Sequence, residues 1–349
     1  IKDISSKTTW SRSLANAMKA EVCLYEGTFR KYRKNEDGQQ APDATGAARY
    51  LTACKEACLA VMSKGYKLNT SYQGNYNSTD LSSNPEMILY KAYKEGFLMH
   101  STIDYTCSST QISGMSKNAF ESYLFKDGKP MALTSLNKSD EAPFQYGHLS
   151  LKDILAVRDK RLAQTIDTVL LYNGRGFTRF NTGMESTSST GYGVAKYDNE
   201  AIPEGFRSQS GKNYTHAPLF WLSVIYLNYA EACAELGNIT QDDLDKSINL
   251  LKDRAGLPHL SPIVGFSDPA NNHGVSDLIW EIRRERRCEL MFDNDNRYWD
   301  LIRWHQLDKL DTTKYPDIIL GANVANDMDG CEANKVGKYI DGSKDGSRI

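Results

Sequence analysis

Apolar residues recur at helical spacing over residues 14–29 and again over residues 47–63, and alanine is frequent in both stretches. A polar linker that contains glycine, residues 34–46, separates them. Apolar residues three and four apart form one face of an α-helix, and small residues on that face let a second helix approach closely. The pattern therefore predicts a helical hairpin within residues 10–65.

A second helical hairpin is predicted over residues 219–258. Its first helix carries one apolar stripe, formed by Leu219, Leu222, Tyr226, Tyr229, Cys233 and Leu236. Gly237 predicts the turn, acidic Asp242 lies near the start of the second helix, and Gly256 followed by Pro258 ends it. Hairpins with this pattern of small residues and tyrosines are typical of tetratricopeptide repeats, which stack because one repeat cannot cover its own apolar face.

The chain between the hairpins, residues 66–218, is richer in glycine, serine, asparagine and tyrosine. Short helices are predicted over residues 118–125 and 151–161. A strand is predicted over residues 168–172, where the run TVLLY is short, apolar and partly β-branched. Residues 311–349 predict an irregular tail. The predicted fold class is mostly α, with tetratricopeptide-type helical hairpins and a long, irregular, loop-rich insertion.

Charged and aromatic residues alternate at helical spacing over residues 279–304, which read IWEIRRERRCELMFDNDNRYWDLIRW. Three glutamates from Glu281 to Glu289 share one helix face, and glycoside hydrolysis requires two carboxylates at a fixed separation. Arginines of the same segment lie within reach, however, and arginine lowers a carboxylate pKa where a general acid needs a raised one. We therefore expect ion pairs that fix the last helices, and we predict that loss of Arg286 or Asp300 damages folding first.

Composition excludes several classes of protein. The net charge is −2 over 349 residues, with both signs interspersed, and this gives no electrostatic surface for nucleic acid. No stretch is long and apolar enough to cross a bilayer. Seven cysteines argue against a complete disulfide framework, so we expect buried free thiols, among them Cys54 and Cys58. The six histidines lack metal-binding spacing, and we expect no metal and no other cofactor.

Several segments of the second half of the chain occur together in one known family. They are Asn228-Tyr229-Ala230-Glu231-Ala232, Arg254-Ala255-Gly256-Leu257-Pro258, Glu285-Arg286-Arg287 with Glu289-Leu290, and Arg297 through Trp304. In this order they resemble the SusD/RagB family of surface nutrient-binding lipoproteins of Bacteroidetes. Weaker matches over residues 14–32, 47–68, 84–86, 127–130 and 159–162 extend the resemblance over most of the chain.

The resemblance implies that residues 1–349 are part of one SusD-like domain, with segments at residues 10–65, 66–218, 219–310 and 311–349. It also implies a non-enzymatic protein that binds glycan nutrient at the surface of the outer membrane and delivers it to a SusC-like TonB-dependent transporter. The signal peptide, the lipidated cysteine and parts of both ends of the family pattern are not matched. We therefore expect a fragment or a processed chain, attached to the membrane only through a lipid anchor outside it.

The aromatic residues of the predicted loops suggest where a glycan binds, because a sugar ring presents a flat apolar face and a rim of hydroxyls. By residue type and loop position, without support from the family motifs, we predict the binding residues to be Tyr72, Tyr76, Phe97, Asp104, Tyr105, Arg175, Phe177, Arg179, Asn181 and Tyr192, with the aromatic members exposed. Each aromatic residue could instead attach its own loop to the scaffold. The tryptophans within helical patterns are expected in the core: Trp221, Trp280, Trp299 and Trp304.

Two other functions stay open. A peptide-binding or purely structural lid of such a transporter would bind no sugar. A glycoside hydrolase would release new reducing ends, and this release would disappear when one carboxylate is changed. No feature of the sequence indicates which polysaccharide is bound.

Overall fold

The structure is a computed structural model that describes residues 2–4, 6–34, 40–108, 113–136, 151–170, 177–178, 184–186, 188–293, 296–323 and 339–341. The helices are α1 (Arg12–Lys31), α2 (Ala44–Met62), α3 (Gly74–Asn77), α4 (Thr102–Cys107), α5 (Lys117–Glu121), α6 (Lys152–Ala156), α7 (Leu162–Thr165), α8 (Glu204–Arg207), α9 (Leu222–Glu235), α10 (Gln241–Asp245), α11 (Ile248–Ala255), α12 (Asp277–Glu289) and α13 (Asn296–Arg303). The strands are β1 (Met87–Lys91), β2 (Phe177–Thr178), β3 (Glu185–Ser186), β4 (Ala217–Trp221), β5 (Leu320–Asn323) and β6 (Tyr339–Asp341). The predicted mostly α fold class is confirmed.

The chain divides into two compact units. The first unit comprises residues 1–70, 81–91 and 218–309, and the second comprises residues 71–80, 92–217 and 310–349. The assignment of residues 1–349 to one domain, with its four segments, stays a prediction.

The first unit is built from the long helices. The predicted first hairpin is α1 and α2, which pack along their length. Gly27 of α1 permits this approach, because a β-carbon there would lie 2.8 Å from Leu51 Cγ of α2. Ser11 caps the start of α1 by accepting a hydrogen bond from Leu14 N at 3.0 Å, which satisfies one of the free N–H groups of the first turn.

Helix α9 is the centre of the first unit. All fourteen of its residues are buried, and it packs against α1, α2, α10, α11 and α12. The predicted single apolar stripe is therefore too narrow, because a helix with neighbours on every side buries its whole circumference. Leu219, predicted within this helix, belongs instead to β4, which pairs with β1.

The second half of the predicted hairpin is present as two short helices, α10 and α11. Thr240 and Asp243 form a reciprocal capping box at the start of α10. Gly237 and Gly256 have φ angles of 74° and 71°, a left-handed conformation that glycine adopts without steric cost, and they end α9 and α11. The sequence signals for the turn at Gly237 and for the end of the hairpin at Gly256 are confirmed.

The second unit consists of short helices and irregular chain, as predicted for the region between the hairpins. Its strands form two antiparallel pairs, β2 with β3 and β5 with β6. The predicted helix over residues 151–161 is present as α6, which is shorter. The predicted strand at residues 168–172 is wrong for residues 168–170, which form no regular strand, and its last two residues lie outside the described part of the chain.

The cysteines of the described residues are buried and carry free thiols: Cys23, Cys54, Cys58, Cys107, Cys233 and Cys288. The expectation of buried free thiols at Cys54 and Cys58 is confirmed. Burial raises the pKa of the Cys54 thiol well above its usual value, which makes it a poor nucleophile. Among the helices described here, none is long and apolar enough to span a membrane.

Candidate functional site

A groove of about 880 Å³ opens on the first unit between α1, α13 and the segment where β4 leads into α9. It is lined by Glu21, Val22, Leu24, Tyr25, Glu26, Tyr50, Leu219, Phe220, Trp221, Val224, Arg286, Asn296, Trp299, Asp300 and Arg303. This volume suits a ligand of small-molecule size.

Aromatic rings form one side of the groove. Trp299 is 52% exposed, and its ring meets that of Tyr25 edge to face, with the ring centroids 6.3 Å apart. The ring of Phe29 stacks on that of Tyr25, with the ring centroids 6.0 Å apart. The contact with Tyr25 restrains the Trp299 ring while half of its surface remains in solvent. An exposed indole ring in a groove is a platform for an apolar ligand face.

The base of the groove is a buried network of ion pairs. Asp300 accepts from Nε of Arg286 at 2.9 Å and from Nε of Arg303 at 2.9 Å. Arg303 also binds both carboxylate oxygens of Glu231, at 2.6 and 2.7 Å. Burial alone would raise the pKa of Glu231, but the Arg303 guanidinium outweighs it and holds that pKa well below its usual range. The expected pairing is confirmed for Arg283, Arg284, Arg286 and Arg303.

Glu21 is the exception among the carboxylates of the groove. It forms no hydrogen bond or ion pair with another described residue, whereas Glu26 at the rim pairs with Arg30 at 2.6 Å. Burial raises the pKa of Glu21, Arg286 and Arg303 act against this, and Asp300 adds to it. The groove therefore combines an apolar ring surface with a carboxylate whose oxygens are available to a ligand.

The structure buries four of the predicted binding residues, all in the second unit. Tyr72 and Tyr76 are 0% and 2% exposed and enclose the Lys196 ammonium, which lies 3.6 Å from the Tyr76 ring centroid. Tyr192 stacks on the ring of Phe120 at 4.3 Å. The predicted exposure of these three tyrosines is wrong, because each ring packs against other side chains of its own unit.

Asp104 is also buried, at 5% exposure, within α4. Its carboxylate accepts a hydrogen bond from the Ser108 hydroxyl at 3.0 Å, so it stabilises the end of its own helix. A role of these four buried residues in ligand binding stays a prediction.

Two of the predicted residues are exposed. Phe97 is 81% exposed beside Gly96, which has a φ angle of 74°, and Lys94 lies 4.9 Å from its ring centroid. Tyr105 is 48% exposed, with its hydroxyl 3.3 Å from that of Ser210. These two residues lie on the surface of the second unit, and their predicted exposure is confirmed.

The remaining predicted residues lie wholly or partly outside the described part of the chain. The backbone of Phe177 pairs with Ser186 in the sheet of β2 and β3, and its side chain is not described. Arg175, Arg179 and Asn181 lie outside the described residues. Their part in binding stays a prediction.

Sequence reasoning missed the groove, and the expected core position of Trp299 is wrong. In α13 the charged residues Asp300 and Arg303 are buried while Trp299 is exposed, the reverse of the usual distribution. The usable signal was the excess of charge in this helix, because buried arginines and acids must pair and thereby occupy the inward face. Trp221 and Trp304 are buried as expected.

Comparison with known proteins identifies one family. The model described as the SusD family matches residues 59–345. No curated protein sequence matches the chain.

Solved structures share this fold. A SusD-like carbohydrate-binding protein from Bacteroides fragilis is 23% identical, with a TM-score of 0.59 over 92% of this chain and 64% of its own. A SusD superfamily protein from Parabacteroides distasonis is 17% identical, with a TM-score of 0.53 over 87% of this chain and 54% of its own. A structure with xylogluco-oligosaccharide is also 17% identical, with a TM-score of 0.53 over 89% of this chain and 55% of its own. The chain thus spans less than two thirds of the length of each of these proteins.

Proposed function

Because the chain belongs to the SusD family, we propose that it binds a glycan without chemically changing it, and that the groove of the first unit is the binding site. The observation that carries the proposal is the half-exposed indole of Trp299 in the same groove as Glu21, whose carboxylate has no partner among the described residues. The indole offers a flat surface for the C–H face of a sugar, and the carboxylate accepts hydrogen bonds from its hydroxyls.

The carboxylates of the groove support binding over hydrolysis. A retaining or inverting glycosidase needs one protonated carboxylic acid and one free carboxylate on opposite sides of the scissile bond. Asp300 is bound to both Arg286 and Arg303, so its oxygens are engaged in holding helices. Glu26 is paired with Arg30, so among the described carboxylates that line the groove only Glu21 has no partner, and one carboxylate does not complete the hydrolytic pair.

We also propose a partner and a location from the family. In this proposal the protein lies at the outer surface of the outer membrane, is held there by a lipid anchor, and delivers oligosaccharide to a SusC-like TonB-dependent transporter. The carbohydrate-binding protein from B. fragilis and the structure with xylogluco-oligosaccharide support a sugar ligand. Binding of single sugar units would be weak, with a Kd of about 1 mM, and several contacts along one polymer would raise retention.

The exposed residues of the second unit, Phe97 and Tyr105, are proposed as a further contact for a long glycan. Both present aromatic surface to solvent. The buried members of the predicted set, Tyr72, Tyr76, Asp104 and Tyr192, would act by holding the surrounding chain in place.

The proposal is tested by electrophoresis in native gels that contain a panel of polysaccharides and mucin, with an assay for new reducing ends on the same mixtures. We expect at least one glycan to retard the protein without cleavage. Replacing Trp299 by alanine removes the indole platform and should abolish most of that retardation, because stacking of a sugar's C–H face on one aromatic ring contributes on the order of 1 kcal/mol.

Trp10→Ala is the matched control, since Trp10 is 70% exposed in the same unit and does not line the groove. Retardation should be unchanged in this variant. If retardation is lost equally in both variants, or only in Phe97→Ala, the glycan does not bind in the groove. Release of reducing ends that disappears in Glu21→Gln would establish a hydrolase instead.

A further inference from the structure

Three basic side chains lie beside two tryptophans in the first unit, and none of the three lines the groove. The guanidiniums of Arg283 and Arg297 lie 4.3 and 5.8 Å from the ring centroid of Trp304. Lys309 Nζ lies 4.7 Å from the ring centroid of Trp280. Arg287 of α12 acts electrostatically on both Arg297 and Lys309. We call Arg283, Arg297 and Lys309 the basic cluster.

The acids around the basic cluster are shared with other cations. Arg283 donates to Glu235 at 3.1 Å, but Glu235 also pairs with Lys31 at 2.7 Å. Asp308 is 3.3 Å from the His273 ring. Neither Arg297 nor Lys309 forms an ion pair with any acid among the described residues. Of the three members of the basic cluster, only Arg283 forms an ion pair with a described carboxylate, and it shares that carboxylate, Glu235, with Lys31.

The deep end of the cluster has unused hydrogen-bond donors. Arg283 is only 4% exposed, and its Nε and Nη1 are buried without a hydrogen-bond partner in the described part of the chain. A buried donor left unpaired costs free energy. Arg297 and Lys309 are partly exposed, so the cluster reaches from this buried donor to solvent.

The pKa values of Lys309 and Arg297 are both lowered, so the charged forms of these two side chains are disfavoured in the cluster. Burial lowers the pKa of Lys309 to about 7, with further lowering by Arg297, Arg287 and Arg283. Burial lowers the pKa of Arg297 to about 9, Arg287 and Arg283 add to this lowering, and Asp300 acts against it. A negative group placed among these side chains would reverse the repulsion.

We propose that the basic cluster is a binding site for an oxyanion, a carboxylate or a sulfate group. Guanidinium groups pair with both through two parallel hydrogen bonds, and a partly buried site strengthens such pairs. The carrier of the anion is either an acidic saccharide or a free inorganic ion. The saccharide carrier rests on the proposed glycan-binding function, whereas binding of the anion does not.

The test is calorimetric titration of the chain with sodium sulfate, with methyl glucuronide and with neutral methyl glucoside, at constant ionic strength and below the pKa of Lys309, about 7. We expect saturable binding of at least one of the two anions, and weaker binding of the neutral sugar, with a Kd of about 1 mM, in the groove. Preference for the glucuronide over sulfate by about tenfold or more identifies a saccharide carrier, and the reverse preference identifies a free ion.

Two variants locate the binding. Lys309→Met and Arg297→Gln should each weaken it by about tenfold, and thermal melts of both variants verify that they are folded. Lys212→Met is the control, because Lys212 is an exposed cation of the second unit. The proposal is overturned if neither anion binds saturably, or if both variants bind as well as the unaltered chain. If the anion proposal fails in this way, neutral glycans should still retard the protein in native gels. Failure of the anion site is therefore distinguishable from failure of the groove proposal.

Discussion

At the residue scale, Glu21 shows how a binding site can oppose stability. Its carboxylate lies in a groove with apolar walls and has no described partner, so burial disfavours its charged form. The buried acids of the network below it are each paired with arginine. With no partner among the described residues, the Glu21 carboxylate opposes folding at neutral pH unless a ligand binds it.

Glu21→Gln should therefore raise the free energy of unfolding at neutral pH and weaken glycan binding. Because the pKa of Glu21 is higher in the folded than in the unfolded chain, stability falls as pH rises from the unfolded value, about 4.3, through the folded value. The increase in the free energy of unfolding from Glu21→Gln should be complete at pH values above this range and absent below it. Loss of a charged hydrogen-bond acceptor should weaken binding by roughly 1.5 to 3 kcal/mol. Thermal melts at several pH values and gel retardation measure the two effects.

Glu26→Gln provides the matched comparison on the same helix. Glu26 pairs with Arg30 at 2.6 Å, so its removal should lower stability by about 0.2 to 1 kcal/mol. Both variants changing stability in the same direction would contradict the assignment of Glu21 as the unpaired carboxylate.

At the element scale, ion pairs fix three helices together. Arg286 of α12 binds Asp300 of α13 and also donates to Asn228 Oδ1 of α9 at 2.7 Å. Arg303 of α13 binds Glu231 of α9. These contacts set the position of α13 and hence of Trp299, so the network acts on the groove through the placement of a helix.

Arg286→Ala should lower the free energy of unfolding by roughly 3 to 5 kcal/mol, because it leaves a buried carboxylate with one partner fewer. Denaturant unfolding followed by circular dichroism measures this loss. Arg12→Ala is the control, since Arg12 pairs with Asp3 at 2.9 Å on the surface, with 64% of its side chain exposed, and should cost only about 0.2 to 1 kcal/mol. An Arg286→Ala variant that keeps native stability but no longer binds glycan would contradict the expectation that loss of Arg286 damages folding first.

At the scale of the whole molecule, the chain has two compact units that differ in construction. The first holds the long helices, the ion-pair network and the groove, and the second consists mainly of short helices and irregular chain. Ligand binding in the groove is therefore expected to slow amide exchange in the first unit.

Hydrogen exchange followed by mass spectrometry should report this division. With a retained oligosaccharide, amide exchange should slow in α1 and α13, which line the groove, because a ligand that binds only the closed state suppresses local opening. Exchange over α5 to α7 should be unaffected. Slowing confined to the chain around Phe97 and Tyr105 would place the glycan on the second unit instead.

Local sequence was sufficient for the hairpins and their ends. Helical spacing identified α1, α2, α9 and the segment of α10 and α11, while Gly237 and Gly256 marked the turns. These features depend on neighbours a few residues apart. The density of arginine and acid also indicated internal pairing, since such charges cannot be buried singly.

Tertiary structure decided which aromatic residues meet solvent. Tyr72, Tyr76 and Tyr192 occur in polar, irregular chain and are nevertheless buried, while Trp299 occurs in a helix and is exposed. Exposure depends on which distant segments pack on a side chain, and residue spacing along the chain does not show which segments these are. The sequence thus determined the helices and their charge pairing, and only the packing of α1, α13 and β4 around Trp299 created the groove.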